Sequence, residues 1–204
     1  MESRRCLLGW MVALVMLATG CSLGSVQSAP TRLFTLTPTV SSNAEARSMG
    51  DDLIGIGPVT LAAYLDRPQI ITRISPHELK AAEFSQWAEP LKINIARVIR
   101  ENVSALTGSD QVFSFPWRRS VQVDHQITLN VLRFDAASDG RVTLVAQWAI
   151  YGDNNKAFRI RWRSTIENQA SGNGYDAIAE SMSRALADLS REIIEGLNDI
   201  KSGI

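Results

Sequence analysis

The chain has 204 residues, of which 45% are hydrophobic and 21% charged, a globular composition that excludes disordered and collagen-like chains. Its 21 basic and 21 acidic residues cancel, which argues against a nucleic-acid partner because neutralising phosphates requires a cationic excess. Two cysteines and two histidines are too few for a zinc site of three or four such ligands. We therefore expect no metal and no cofactor.

The first 20 residues have the pattern of a bacterial secretory signal. Arg4 and Arg5 precede an apolar run over residues 7–18, which is shorter than the roughly 20 residues of a membrane-spanning helix. The run ends in Leu-Ala-Thr-Gly-Cys, which resembles the lipobox of bacterial lipoproteins, where the thiol of the cysteine accepts a diacylglyceryl group. Cys21 is therefore the expected lipid attachment site. Two alternatives stay open: a secreted protein with an unmodified Cys21, and an uncleaved anchor helix.

Cleavage before Cys21 divides the chain into three parts. These are a signal peptide over residues 1–20, a lipidated tether over 21–30, and one domain over 31–204. The Ser/Gly/Ala-rich part of the tether, residues 22–30, reaches at most about 30 Å. Cys6 leaves with the signal, so the mature chain forms no intrachain disulfide. In the lipoprotein sorting rule an Asp after the cysteine retains the protein at the inner membrane, so Ser22 implies the outer membrane.

The first half of the domain alternates short strands with one helix. Apolar and β-branched runs predict strands over residues 31–37, 53–59, 69–74 and 78–83. Gly55 and the nearby Gly57 indicate a close approach of another chain segment to the second strand. The first helix is predicted over Trp87–Leu106, with Ser85 as its N-cap and Pro90 in its first turn. Residues 38–52 are polar and predict a mobile loop.

The second half predicts three strands joined by short turns, followed by a helix. The first strand alternates over Val121–Arg133, and Asp139-Gly140 is typical of a hairpin turn. The next strand presents its apolar residues from Val142 to Ile150 to the core, and a second turn is expected over Gly152–Asn155. In the third strand apolar residues alternate with arginines, and the apolar face consists of Phe158, Ile160 and Trp162.

A long helix over Tyr175–Leu197 completes the domain, since apolar residues recur there at helical spacing. Trp148 and Trp162 are expected in the core. The order of elements predicts an α+β fold in which two long helices pack on one face of a mostly antiparallel sheet.

The sequence contains no recognisable catalytic motif. It has no Gly-x-Ser-x-Gly elbow, no Walker loop and no Gly-x-Gly-x-x-Gly turn. His125 has the parity of the apolar face of its strand, which favours a core or rim histidine over a catalytic base. His77 lies in a proline-containing turn, where we expect it to be solvated. We therefore expect no catalytic residue and no enzymatic activity.

Two features are candidate interfaces. Strand periodicity would place Arg159, Arg161 and Arg163 on one face, opposite the apolar residues of their strand. That face is either a solvated sheet surface or a surface for a partner or lipid headgroup. Trp117, in the loop Phe115-Pro116-Trp117-Arg118, could anchor a partner.

An ordered series of sequence blocks resembles the PqiC-type family, the ABC-type transport auxiliary lipoproteins. The blocks are Gly57-Pro58-Val59, Tyr64–Arg73, Phe84 with Trp87–Leu91, Phe115-Pro116-Trp117, Arg133-Phe134-Asp135 and Trp148. The resemblance spans residues 31–195, with Gln86 standing where arginine is expected. Within the second block, Asp66-Arg67-Pro68 can fix a turn through a local ion pair and the rigid proline.

The resemblance implies a non-enzymatic outer-membrane lipoprotein that supports membrane integrity. Its partner in that family is an envelope-spanning MCE-domain protein, which forms a lipid tunnel across the periplasm and is docked at the outer membrane by the lipoprotein. We also expect copies of the chain to form a homo-oligomer, such as a ring. Two alternatives stay open: a lipid-binding module with its own apolar cavity, and a lipid-anchored hydrolase with a Ser–His contact near His125.

The lipid anchor can be tested at its attachment residue. Cys21→Ser removes the thiol that accepts the diacylglyceryl group, so we expect an unlipidated precursor in place of the mature protein. Mass spectrometry of the intact chain and membrane fractionation measure the outcome. Normal processing and membrane retention of this variant would contradict the assignment.

Overall fold

The computed structural model describes residues 29–41, 52–118, 120–152 and 157–202. The chain divides into two units, Met1–Pro30 and Thr31–Ile204, and the described secondary structure belongs to the second. Cys21 and most of the predicted turn after Gly152 lie outside the described residues. The strands are β1 (Arg32–Phe34), β2 (Ile54–Leu61), β3 (Gln69–Ser75), β4 (Glu78–Trp87), β5 (Val112–Ser114), β6 (His125–Ala137), β7 (Arg141–Gly152) and β8 (Ala157–Gln169). The helices are α1 (Leu91–Thr107) and α2 (Tyr175–Ser202), with a 3-10 turn at Ala63–Leu65.

All eight strands form one sheet around β6. On one edge, β6 pairs antiparallel with β7, which pairs antiparallel with β8. On its other edge, β6 pairs parallel with β2 along its first half and with β3 near its end. β2 also pairs with β5 on its far side, and β3 pairs with β4, which in turn pairs with β1. The longest pairings are antiparallel, so the predicted α+β class and the three-strand meander are confirmed.

Both helices contribute to one core against the sheet. The alternating residues of β7 that were predicted to face inward are all buried, and so are the apolar stripes of α1 and α2 except for the partly buried Leu106 and Ile178. α1 contacts β2 and β5, whereas α2 contacts β7 and β8. Among the helices that the structure describes, none has the length and apolar character needed to cross a membrane.

The start of the first helix differs from the prediction. β4 continues to Trp87, whose backbone N–H donates a hydrogen bond to the carbonyl of Pro68 at 2.7 Å. Ser85, the predicted N-cap, is therefore a strand residue that pairs with β1. Pro90 occupies the N-cap position, and proline keeps the residue before it out of the helical region. Local periodicity could not reveal this boundary, because tertiary pairing holds residues 85–87 extended.

The segment after β1 is held by polar side chains from both helices, and we call residues 35–40 the strap. The Leu36 N–H donates to Oδ1 of Asn94 at 3.2 Å, and the Val40 N–H donates to Oδ1 of Asn102 at 3.4 Å. The Thr37 N–H donates to Oγ of Ser183 on α2 at 3.1 Å. These contacts explain why two asparagines are fully buried within the apolar stripe of α1. The first strand therefore ends at Phe34, before the predicted Thr37.

A buried carboxylate joins β3 to β6 on the sheet face opposite the helices. The Asp135 side chain is 0% exposed and accepts four hydrogen bonds. Arg73 donates through Nε at 3.1 Å and Nη2 at 2.8 Å, and Arg133 donates through Nε at 2.9 Å. The Tyr64 hydroxyl donates at 3.2 Å. Burial raises the pKa of Tyr64, and the Asp135 charge adds to that increase, so this hydroxyl keeps its proton.

Removal of this carboxylate is expected to destabilise the domain strongly. Asp135→Ala leaves Arg73 mostly buried without its counter-charge, so we expect a loss of about 3–5 kcal/mol in the free energy of unfolding. Glu180→Ala, which breaks the solvent-exposed pair with Arg184, is the matched control and should cost about 0–1 kcal/mol. Urea denaturation followed by circular dichroism measures both values. Equal losses in the two variants would contradict this role for Asp135.

Candidate functional site

The sheet surface opposite the helices carries the candidate interface, and we call it the open face. It is built from alternate residues of β7 and β8, with Gln147 opposite Arg163 and Ala149 opposite Arg161. The β7 residues of the open face are uncharged and form its floor: Val145, Gln147, Ala149 and Tyr151. Both arginines are exposed at its margin.

The predicted row of three arginines is broken by a change in register. A shift between Ile150 and Tyr151 places Phe158 opposite Tyr151, so Phe158 lies on the same face as Arg161. The Arg161 guanidinium lies 5.7 Å from the centre of the Phe158 ring. The prediction that all three arginines oppose Phe158 is therefore wrong, because an extra residue in one strand reverses the alternation beyond it.

Arg159 falls at this irregularity and leaves the row. The Arg159 side chain lies against Gly152 of β7: if Gly152 had a Cβ atom, that atom would be 2.9 Å from the Arg159 Nε. The guanidinium group therefore occupies the space beside the glycine. Gly152 follows Tyr151 and pairs with His125, which puts it on the helix side of the sheet. Of the predicted row, only Arg161 and Arg163 lie on the open face.

Trp162 is a surface residue, contrary to its predicted place in the core. It is 55% exposed and stacks on Trp148, which is 3% exposed, with ring centres 6.4 Å apart. A Cβ on Gly196 of α2 would lie 2.8 Å from the Trp148 ring, so the helix backbone covers Trp148 closely. Trp148 is also fixed by donating a hydrogen bond from Nε1 to Ser164 at 2.9 Å. Because β8 is an edge strand, Trp162 is stacked on one side and left open to solvent on the other.

The loop at residues 115–118 lies over β2 at one end of the open face. Two Trp117 ring atoms would be 2.7 Å from a Cβ on Gly55, which confirms the close approach expected at this glycine. Phe115 contacts Trp117 edge to face at 5.5 Å and is itself 50% exposed. Trp117 is half-buried, so it packs against its own domain as well as lining the surface.

One register row connects this loop to the aromatic pair on β7 and β8. Gly55 is opposite Gln126, Gln126 is opposite Tyr151, and Tyr151 is opposite Phe158. The Tyr151 and Phe158 rings are 5.7 Å apart in an edge-to-face contact. Trp117 and Phe158, far apart in sequence, thus belong to the same end of the open face, and we call Trp117, Tyr151 and Phe158 the aromatic row.

Among the described residues, neither imidazole side chain forms a hydrogen bond with a serine or a cysteine; the His77 backbone N–H donates to Oγ of Ser75 at 3.3 Å. His125 Nε2 is 3.3 Å from Oδ2 of Asp52, which also accepts a hydrogen bond from Lys201 at 2.7 Å. The hydrogen bond from Lys201 lowers the pKa of Asp52. His77 is exposed in the turn between β3 and β4. In the part of the chain that the structure describes, no three His, Cys, Asp or Glu side chains cluster as metal ligands.

Two of the sequence blocks meet in a surface groove of about 350 Å³. Its walls include Pro68 from the turn before β3 and Trp87 and Pro90 before α1. None of the ion pairs between described residues joins Asp66 to Arg67, so the expected local ion pair is not what fixes this turn. The Arg67 N–H donates instead to the Leu65 carbonyl at 2.9 Å, and Pro68 receives the bond from Trp87.

These observations define an α+β domain that exposes arginine and aromatic side chains on the sheet face opposite its helices. The family described as "ABC-type transport auxiliary lipoprotein component" matches residues 34–194, and the chain belongs to that family. The resemblance inferred from the sequence blocks is therefore confirmed.

Two solved structures share the fold. A crystal structure of an uncharacterised protein is 16% identical, with a TM-score of 0.69, and the match covers 83% of this chain and 99% of the other. A protein from Xanthomonas campestris is 17% identical, with a TM-score of 0.65 and coverage of 80% and 92%. A search of curated proteins gives no significant match.

The contact between Gly55 and Trp117 generates a test of how the open face is built. Gly55→Ala places a methyl group against the Trp117 ring, so we expect a loss of about 1–3 kcal/mol in stability. Trp117→Ala in the same chain removes the clash, and the double variant should be more stable than the two single losses predict. Gly172→Ala, whose nearest neighbour would be at 3.8 Å, is the control and should change stability by less than about 0.5 kcal/mol. Additive losses in the double variant would contradict the contact.

Proposed function

We propose that this protein is the outer-membrane-anchored subunit of an MCE-type envelope lipid transport system. In this proposal it docks the periplasm-spanning tunnel protein at the outer membrane and so supports membrane integrity. Family membership supports the transport role, and the lipobox with Ser22 supports the anchor and its destination. The observation that carries the docking role is the open face, where exposed Arg161, Arg163 and Phe158 lie beside uncharged residues of β7.

The chemistry of the open face favours a protein partner. Arginine and aromatic side chains are the residues that most often anchor protein interfaces, because they combine large contact areas with directed polar groups. The chain has a formal charge of zero, which gives little general attraction to an anionic bilayer. A shaped contact with a protein, including further copies of the chain in a homo-oligomer, uses these side chains more effectively.

The position of the aromatic row within the domain also supports docking. The chain enters the domain beside the start of α2, where Phe34 and Tyr175 have ring centres 6.3 Å apart. The aromatic row lies at the other end, since His125 at the start of β6 and Lys201 near the end of α2 both contact Asp52. The 28 residues of α2 span about 42 Å. The domain can thus present this row at the end opposite Phe34, which lies close to where the chain enters the domain.

Affinity purification tests this function directly. The tagged full chain, extracted from membranes in a mild detergent, should co-purify with an MCE-domain protein identified by mass spectrometry. Arg161→Glu combined with Arg163→Glu reverses the charge of the open face, so we expect loss of the partner and of higher-order assembly in size-exclusion chromatography. Lys80→Glu combined with Lys92→Glu makes the same change in charge at other exposed sites and should have no effect.

Circular dichroism controls for folding in each variant. Absence of any MCE-domain protein from the wild-type preparation would overturn the proposed function. Folded open-face variants that retain the partner would show that the partner contacts another surface.

A further inference from the structure

β8 forms a long open edge of the sheet. It pairs with β7 on one side, and no other described strand pairs with it. Its 13 residues extend about 43 Å. Side chains of α2 already donate hydrogen bonds to the carbonyls of its last two residues, from Ser181 to Asn168 and from Arg184 to Gln169, so the open part of the edge lies before Asn168. An edge strand presents unpaired backbone N–H and C=O groups, and most proteins cover or shorten such edges because they recruit other strands. Here the edge is long, and both Phe158 and Trp162 beside it are 55% exposed.

The two faces of this edge have different chemistry. On the open face it presents Arg161 and Arg163, and the β7 residues opposite them, Ala149 and Gln147, carry no charge. No salt bridge among the described residues involves Arg163, and Arg161 contacts the Phe158 ring. On the helix side the edge presents Ile160 and the exposed indole of Trp162. Along β8, basic residues therefore alternate with apolar ones.

We propose that β8 accepts an added strand from a partner protein, in which acidic residues alternate with apolar residues. Directly opposite side chains on neighbouring strands lie on the same face about 4.5–5.5 Å apart. Two carboxylates at positions i and i+2 would then lie beside Arg161 and Arg163, while the intervening apolar residue packs on Trp162. Backbone hydrogen bonds to the open edge provide affinity, and the side chains select the sequence. This inference rests on the proposed docking function and specifies the chemistry of the docked partner.

The observations favour this occupant over two others. A flat bilayer surface would contact only one face of the sheet. The edge of β8 instead offers basic side chains on one face, apolar side chains on the other and backbone hydrogen-bonding groups between them, which an added strand can contact together. A second copy of the chain would need an open strand with the matching alternation. The uncovered part of β4, residues 78–84, carries Lys80 as well as Glu78 and Glu83, so it does not match.

Synthetic peptides provide the test, with the full-length lipidated chain held in a non-ionic detergent. The probe is a fluorescent ten-residue peptide of alternating Glu and Val. Two matched peptides replace Glu with Lys, or carry N-methyl groups on alternate backbone amides. We expect the acidic peptide to bind, measured by fluorescence anisotropy, and each matched peptide to bind at least about tenfold more weakly. Hydrogen exchange should slow at the backbone amides of β8 when the acidic peptide is bound.

Variants of the chain complete the experiment. Arg161→Glu combined with Arg163→Glu, and separately Trp162→Thr, should each weaken binding of the acidic peptide by about tenfold or more. Lys80→Glu combined with Lys92→Glu should leave it unchanged. Equal binding of the N-methylated peptide would overturn strand addition in favour of a simple charged patch. Binding to phosphatidylglycerol vesicles without binding to the peptide would identify a headgroup surface instead.

Two further outcomes separate this inference from the docking function. In the first, the wild-type chain does not bind the acidic peptide but self-associates, and Trp162→Thr abolishes this self-association. That result would overturn the inference and identify a second copy of the chain as the occupant of β8. Co-purification of the MCE-domain protein with a chain that no longer binds the acidic peptide would overturn strand addition and leave the docking function intact.

Discussion

The buried Asp135 carboxylate is the interaction on which the two branches of the sheet depend. β3 pairs with β6 through only Thr72 and Arg73, so few backbone hydrogen bonds attach the branch that contains β3, β4 and β1. The ion pair with Arg73 adds a direct link between these strands at the same place, and Tyr64 ties in the turn that precedes β3. A buried charge is tolerated only when it is fully paired, so this cluster also fixes which residues of the two strands meet. The branch that leads back to the N-terminus is positioned by that constraint.

The sequence predicts well what depends on local periodicity. The alternation along β7 and the helical spacing in α2 both identify the correct buried faces, because each element meets the core along one continuous stripe. Trp162 shows where this reasoning stops. Its parity within β8 is correct for the helix side, but a periodic pattern carries no information on whether a neighbouring element extends far enough to cover that position. The parallel pairing of β2 with β6 is also invisible locally, since it joins residues about 70 positions apart.

In the candidate site too, the sequence pattern does not reveal which residues share a face of the sheet. A single irregularity beside Tyr151 moves Phe158 to the face of Arg161 and removes Arg159 from it, although all three residues follow an unbroken alternation in the sequence. Only pairing with β7 creates the aromatic contact, and only pairing of β2 with β6 brings the Trp117 loop into the same row. The residues of a binding face can therefore be nominated from the sequence, but their grouping is set by register between strands.

The strap determines how the domain bears a pull on its N-terminal end. A pull on the chain at Thr31 loads β1 first, and β1 has only three residues paired with β4. Beyond it, the load passes to hydrogen bonds from Asn94 and Asn102 on α1 and from Ser183 on α2. These bonds are spread over the five residues from Leu36 to Val40 and join the segment to both helices, so tension applied at Thr31 is shared by the hydrophobic core and not concentrated on the short seam between β3 and β6. A pull at this end of the domain is thus borne by both helices and not by β1 alone.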